Sequence, residues 1–134
     1  MALTLRIVTP ERELLDQEVE EVTAPGISGE IGVLPDHITF LTMLAPGRLA
    51  YTSGGKREVV AIFGGYAEVA DNVMTVLADG AEPVSEIDAE AAKREAADAE
   101  KALGELDPTT PEALAALRAL GQARARVAAV SDNS

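Results

Sequence analysis

No cysteine occurs in the 134 residues, which excludes a disulfide framework, a thiolate metal site and a cysteine nucleophile, and leaves the redox compartment open. A single histidine, His37, excludes a His-clustered metal site, and a Ser-His-Asp triad would have to use that residue. Basic residues are scarce: 11 Lys and Arg stand against 23 Asp and Glu, a formal charge of -12. A surface this acidic repels phosphate backbones, and with no polybasic cluster it has little attraction for anionic lipid either. No apolar run approaches the ~18 residues of a membrane span. The start, Met1-Ala2-Leu3-Thr4, has neither the charged nor the apolar region of a signal peptide. The expectation is a soluble, acidic, intracellular chain with few routes to catalysis.

What is present divides near Val84. Residues 1–84 hold 22 of the 27 Val, Ile and Thr, nine of the 11 glycines and all four aromatics, whereas residues 85–134 hold 15 of the 24 alanines. β-branched and aromatic side chains suit a pleated surface, and alanine suits a helix. In the first segment Leu3, Leu5 and Ile7 alternate with Thr4, Arg6 and Val8. Further short runs follow at Val19–Ala24, Ile31–Leu34, Arg48–Thr52, Glu58–Phe63, Tyr66–Ala70 and Val73–Ala78. Turn residues separate them: Pro25-Gly26, Pro35-Asp36, Pro46-Gly47, Ser53-Gly54-Gly55 and Asp71-Asn72. That spacing predicts an antiparallel β-sandwich or barrel over 1–84.

The second segment, 85–134, predicts a helix–loop–helix. Asp88 is a candidate N-cap followed by Glu90 in the first turn, with Ser85 an alternative cap, and Gly104 marks the end of the first helix near Leu103. Thr110-Pro111-Glu112 starts a second helix that runs to about Val130. A short loop makes the two antiparallel neighbours. Ala92, Ala96, Ala99 and Leu103 form one facing stripe; Leu117, Leu120, Ala123, Val127 and Val130 form the other. An alanine seam buries little area and Gly121 weakens the second helix, so the hairpin is expected to dock on something and to leave it.

Candidate sites are few. Gly64-Gly65 lacks the helix and the Lys-Ser/Thr of a phosphate loop and reads as a bend or bulge in a strand. Asp36-His37 has no nucleophile motif nearby, so His37 reads as a structural hydrogen-bonding residue, and Glu18-Glu20-Glu21 reads as solvated surface. The second helix carries Arg118, Arg124 and Arg126 against one acid, Glu112. Two readings of this basic face hold in different states: pairing with Glu90, Glu95, Asp98 and Glu100 of the first helix, or meeting an acidic partner once the hairpin opens.

The order of segments resembles a known family. Val22-Thr23-Ala24-Pro25 leads to Gly29-Glu30-Ile31-Gly32-Val33-Leu34-Pro35-Asp36-His37, then to Leu41-Thr42-Met43-Leu44 and Pro46-Gly47. Gly64-Gly65-Tyr66-Ala67-Glu68-Val69 and Val73-Met74-Thr75-Val76-Leu77-Ala78-Asp79 follow. This series resembles the ε subunit of bacterial and chloroplast-type F-type ATP synthases, the counterpart of mitochondrial δ, over nearly the whole chain. The resemblance implies a ten-stranded β-sandwich and a C-terminal helical hairpin in a non-catalytic subunit of the rotating central stalk. The implied partners are the γ subunit, the ring of c subunits and, through the hairpin, the catalytic head, with the complex at the cytoplasmic face of the membrane or its organelle equivalent. It implies that Glu30, Gly32 and His37 lie on the side that meets the c ring and γ, and that the hairpin restrains ATP hydrolysis.

Two departures stand out. The family's Pro-Gly-His-Ala-Pro turn reads Pro35-Asp36-His37-Ile38-Thr39 here. The Ile/Leu-Asp-x-x-Arg-Ala motif, through which some relatives bind ATP, reads Ile87-Asp88-Ala89-Glu90-Ala91-Ala92. Ala91 stands where the arginine would be. Asp88 and Arg126 remain, while Gln122 takes the other arginine position. The expectation is no cofactor, and weak or absent ATP binding. The alternative from another class is a free-standing acidic β-sandwich adaptor that dimerises through its hairpin.

Overall fold

The computed structural model describes residues 2–131; Met1 and residues 132–134, the outer ends of the two segments, lie outside it. Eight strands come first: β1 (Leu3–Val8), β2 (Glu13–Val19), β3 (Glu21–Gly26), β4 (Gly29–Val33), β5 (Phe40–Ser53), β6 (Lys56–Ala70), β7 (Val73–Ala78) and β8 (Ala81–Pro83). A 3-10 turn at Val84–Glu86 leads into α1 (Ala89–Glu105) and α2 (Pro111–Val130). The strands pair in the order β2-β1-β7-β6-β5-β3-β4, with β8 added to β6.

The strands differ from expectation in number, length and one direction. The runs Glu58–Phe63 and Tyr66–Ala70 belong to one 15-residue strand, and Pro46-Gly47 sits inside 14-residue β5 instead of turning the chain. The strands number eight, where the resemblance implied ten. β2 escapes the period-2 test because its adjacent Leu14 and Leu15 break the alternation, and β8 because it has three residues. β1 and β7 pair in parallel, Thr4 opposite Val73 through Val8 opposite Leu77. Turn spacing fixes the direction only of neighbours in sequence, and these two strands are joined by the whole of the intervening sheet.

Inside the fold, Leu3, Leu5 and Ile7 meet Val22, Leu49, Ile62, Val69, Met74 and Val76. The two long strands explain how one hydrogen-bonded sheet closes on this core. In β6, Val60 and Ile62 point inward before Gly64-Gly65, and Ala67 and Val69 point inward after it. In β5 the inward residues are Leu44 and Leu49. Even positions thus give way to odd ones in β6, while the pairing keeps its register from Phe40–Val69 to Ser53–Lys56. Both strands bend together, so side chains change faces without a slip. Gly64 and Gly65 adopt φ of 94° and 134°, and a Cβ on Gly65 would collide with the Leu77 carbonyl oxygen.

The helices start as the sequence dictates. Asp88 accepts a hydrogen bond from the Ala91 N–H at 3.1 Å, and Thr110 from the Ala113 N–H at 3.2 Å, with Pro111 in the first turn. Gly104 does not stop α1; the helix takes it in and ends at Glu105, with Leu106 at the C-cap. The intervening loop is closed by Asp107, whose carboxylate accepts from the Thr109 N–H and hydroxyl at 2.9 and 2.8 Å. Those hydrogen bonds hold its pKa below the usual carboxylate range.

The hairpin lies on its own sandwich. α2 contacts β5 and β6 as well as α1. Ala125 and Ala129 cover Ala50, Val59 and Ala61, with Phe63 and Ile87 packed alongside. α2 therefore needs more than the single stripe read from sequence: Ala113, Leu120, Ala123, Ala125 and Ala129 are all buried, whereas Leu117, placed in that stripe, is 54% exposed. Among the described residues no helix is long and apolar enough to cross a membrane.

Tyr51 gives the core a pH signature. Its ring is buried, and burial first, then the Glu58 carboxylate, pushes the phenol pKa up. A raised folded-state pKa contributes stability that is complete below the unfolded value of about 10 and is lost as pH rises through the folded one. The urea midpoint is expected to fall above pH about 10, and Tyr51→Phe to make that fall shallower. Identical pH profiles for the two proteins would contradict this.

Candidate functional site

The residues singled out by sequence fall in two regions. Glu30 and Gly32 lie exposed on β4, at one end of the strand order. Gly32 has open space where a side chain would stand. His37 follows in the loop between β4 and β5. Its backbone N–H donates to Leu34 O at 3.2 Å, its Nδ1 lies 2.9 Å from Ile38 O, and its ring tilts against Phe40 with centroids 5.1 Å apart. Asp36 takes the left-handed conformation, φ 64°, that glycine adopts without strain. The Asn72 side chain holds it there, accepting from the Asp36 N–H at 2.5 Å and donating to the Asp36 carboxylate at 3.1 Å. The Pro35-Asp36 turn thus keeps a glycine-like backbone without a glycine.

The outer face of the sheet carries an apolar row that sequence reading did not single out. Met43, Tyr66 and Leu77 stand opposite one another on β5, β6 and β7. They are 47%, 49% and 54% exposed, and Leu41, two residues from Met43 on β5, is 68% exposed. The alternation of Leu41, Met43, Tyr66 and Leu77 with inward residues was visible in the chain. What hid the row is that any half-exposed strand shows the same pattern. Clusters of large apolar side chains on one exposed face occur at protein–protein, membrane and ligand-binding surfaces.

The second region is the seam between hairpin and sandwich, where Arg126 is turned inward. Its Nε and Nη2 donate to the two Glu82 carboxylate oxygens at 2.8 and 3.0 Å, and Nη1 lies 3.7 Å from Glu95. Its guanidinium sits over the Phe63 ring, 4.9 Å from the centroid. The side chains of Arg126 and Glu82 keep 22% and 32% of their exposure. The Glu82 hydrogen bonds raise the pKa of Arg126 against the opposing effect of burial. Beside the pair is a recess lined by Glu82, Glu86, Asp88, Ala91, Glu95 and Arg126, four carboxylates to one guanidinium. Asp88 and Arg126 are thus brought to one recess, but Asp88 is committed to capping α1 and Arg126 to Glu82.

Arg118, Arg124 and Arg126 do not share a face in this docked arrangement. Arg124 reaches Glu100 of α1 at 3.3 Å on the exposed side of the hairpin. Arg118 lies in a groove with Leu117, Pro46, Phe63 and Asp79, and makes no ion pair among the described residues. Pairing with α1 accounts for Arg124 and for the Arg126–Glu95 approach. Glu82, the main partner of Arg126, was missed because 44 residues separate the two and no helical or strand period links them.

An eight-stranded β-sandwich carrying a helical hairpin on one outer face is the class that this geometry defines. The family model for the ATP synthase delta/epsilon chain β-sandwich domain matches residues 2–84. The chain belongs to the ATP synthase delta/epsilon family. It is 40% identical over 135 residues to the ATP synthase epsilon chain of Synechococcus sp. (strain RCC307), covering 99% of this chain and 100% of the relative. With the ATP synthase epsilon chain of Anaeromyxobacter sp. (strain K) it shares 49% identity over 106 residues, covering 79% and 80%. Among solved structures it is similar to a chain in the Euglena gracilis mitochondrial ATP synthase, described as OSCP/F1/c-ring in rotational state 1. That match has a TM-score of 0.79 at 29% identity and covers 91% of this chain and 77% of the other.

Gly121 faces the sandwich where α2 crosses Pro46. A Cβ there would stand 3.4 Å from Pro46 Cγ, at the close end of ordinary contact. Gly121→Ala is therefore expected to stabilise the protein by about 0.5–1 kcal/mol through helix propensity, read from the denaturant midpoint. A loss of stability would mean that α2 sits closer to β5 than these distances allow.

Proposed function

We propose that the chain acts as a non-catalytic rotor subunit of a proton-translocating F-type ATP synthase, passing c-ring rotation to the catalytic head. The observation that carries this reading is the uncovered row Leu41, Met43, Tyr66 and Leu77, on a sandwich whose other outward apolar patch is already covered by α2. In this reading the row takes the γ subunit. Glu30, Gly32 and His37, on β4 and the loop after it, meet the c ring. The subunit is then held at the cytoplasmic face of the membrane, or its organelle equivalent, through its partners.

The hairpin supplies the regulation. Residues 1–84 bind the stalk, and residues 85–134 restrain hydrolysis when they leave the sandwich and reach the catalytic head. The alanine seam supports a reversible dock, because each alanine contributes little buried area. Arg118, exposed and without an ion pair among the described residues, and Arg124, paired only at the surface, are the basic groups most available to acidic partner surface.

Removing the chain after Val84 is expected to leave γ binding intact and to raise ATP hydrolysis by the assembled enzyme roughly fivefold or more. Alanine at Arg118 and Arg124 together is expected to move hydrolysis in the same direction. Loss of γ binding on truncation, measured by co-purification, would contradict the division of labour.

A further inference from the structure

We propose that Arg126 is the latch of the docked hairpin, and that Glu82 fills from within the chain the anion-binding fork that an external phosphate or carboxylate would otherwise occupy. The inference rests on the reading that the hairpin leaves the sandwich, and it names what holds the hairpin before it does.

The geometry is that of a made site. Both oxygens of Glu82 are matched by the parallel donors Nε and Nη2, the fork-to-fork arrangement that gives guanidinium–carboxylate pairs their directional strength. The flat face of the guanidinium lies over Phe63, and the third nitrogen approaches Glu95 of α1. One side chain of α2 thus touches β6, β8 and α1 together. Glu82 pairs through Ala61 with the outer edge of the β6 ladder, so its carboxylate is positioned by the sheet and not by the mobile helices. The apolar part of the seam consists of alanine methyls with Val59, Phe63 and Ile87, which exclude water but provide little directional strength.

The same surroundings disfavour an outside ligand. Glu82, Glu86, Asp88 and Glu95 line the recess, against Arg126 and, beyond Glu86, Arg12 at 3.4 Å. A phosphate group would have to displace a bidentate carboxylate and then sit among three more. Ala91, whose side chain adds no donor, also lines the recess. Docking is therefore complete without nucleotide, and hairpin release separates Arg126 from Glu82 with no ligand to expel.

The absence of native cysteine makes the test direct. In the full-length chain, Lys56→Cys at the start of β6 and Lys101→Cys on α1 accept a pair of spin labels whose separation reports docking. Arg126→Gln and the near-isosteric Glu82→Gln are each expected to raise the released population about tenfold, the double variant to release no more than the worse single, and Arg126→Lys to fall between. Millimolar MgATP is expected to leave the unmodified distance distribution unchanged. Circular dichroism separates release, which keeps the sandwich signal, from unfolding; loss of that signal in Arg126→Gln leaves Glu82→Gln to decide. Distances in Glu82→Gln that match the parent would overturn the latch. So would MgATP that narrows the distribution in the parent but not in Arg126→Gln, since the fork would then belong to the nucleotide. No hydrolysis assay enters these measurements. Release on latch substitution, with hydrolysis indifferent to truncation in the assembled enzyme, would leave the latch standing and remove the regulatory reading.

Discussion

Ala50, Val59 and Ala61 point away from the core on the outer face of β5 and β6, and that apolar patch has to be covered by something. The cover is α2, brought close by Ala125 and Ala129. Much of the remaining architecture depends on this contact. It forces α2 to bury residues toward the sheet as well as toward its partner helix, places Gly121 over Pro46, and turns Arg126 into the seam instead of leaving it with the other arginines. Small side chains allow the close approach but keep the buried area modest.

The paired bend at Gly64-Gly65 divides the outer face into two parts. Before it, Val59, Ala61 and Phe63 lie under or beside the hairpin; after it, Tyr66 joins Met43 and Leu77 in the open row. A continuous sheet without that inversion would turn one set of core residues outward. The fold thus presents one apolar surface to its own tail and another to the outside. Its acidic excess is consistent with this plan: the one inward guanidinium of α2 meets carboxylates from both the sheet and α1.

Much of this was legible in the chain. The strand-to-helix division, the caps at Asp88 and Thr110 and the inward set Leu3, Leu5 and Ile7 follow from local rules that the structure obeys. What escaped is non-local or locally atypical. β8 is too short to show a period, and β2 shows none because the adjacent Leu14 and Leu15 interrupt the alternation. The parallel β1–β7 pair is a property of topology, which turn spacing does not encode. At the candidate site, Arg126 was legible as a charge but not as a contact, since Glu82 comes from the sheet edge 44 residues away. Asp36 marked a departure from a glycine turn, yet its remedy, the Asn72 side chain, lies across the fold. Residues opposed in space without a sequence period are the ones that pattern reading leaves unpaired.

Two units of unequal strength share one chain, a sandwich closed on a large aliphatic core and a hairpin held by alanines and the Arg126–Glu82 pair. Native-state hydrogen exchange on the full-length protein tests it most directly. Amides of α1 and α2 are expected to exchange through an opening at least about 2 kcal/mol cheaper than that of the β5–β6 ladder, and with weaker dependence on denaturant. A single opening energy and a single denaturant slope for helices and sheet alike would contradict the account, because the hairpin could then leave only when the sandwich unfolds.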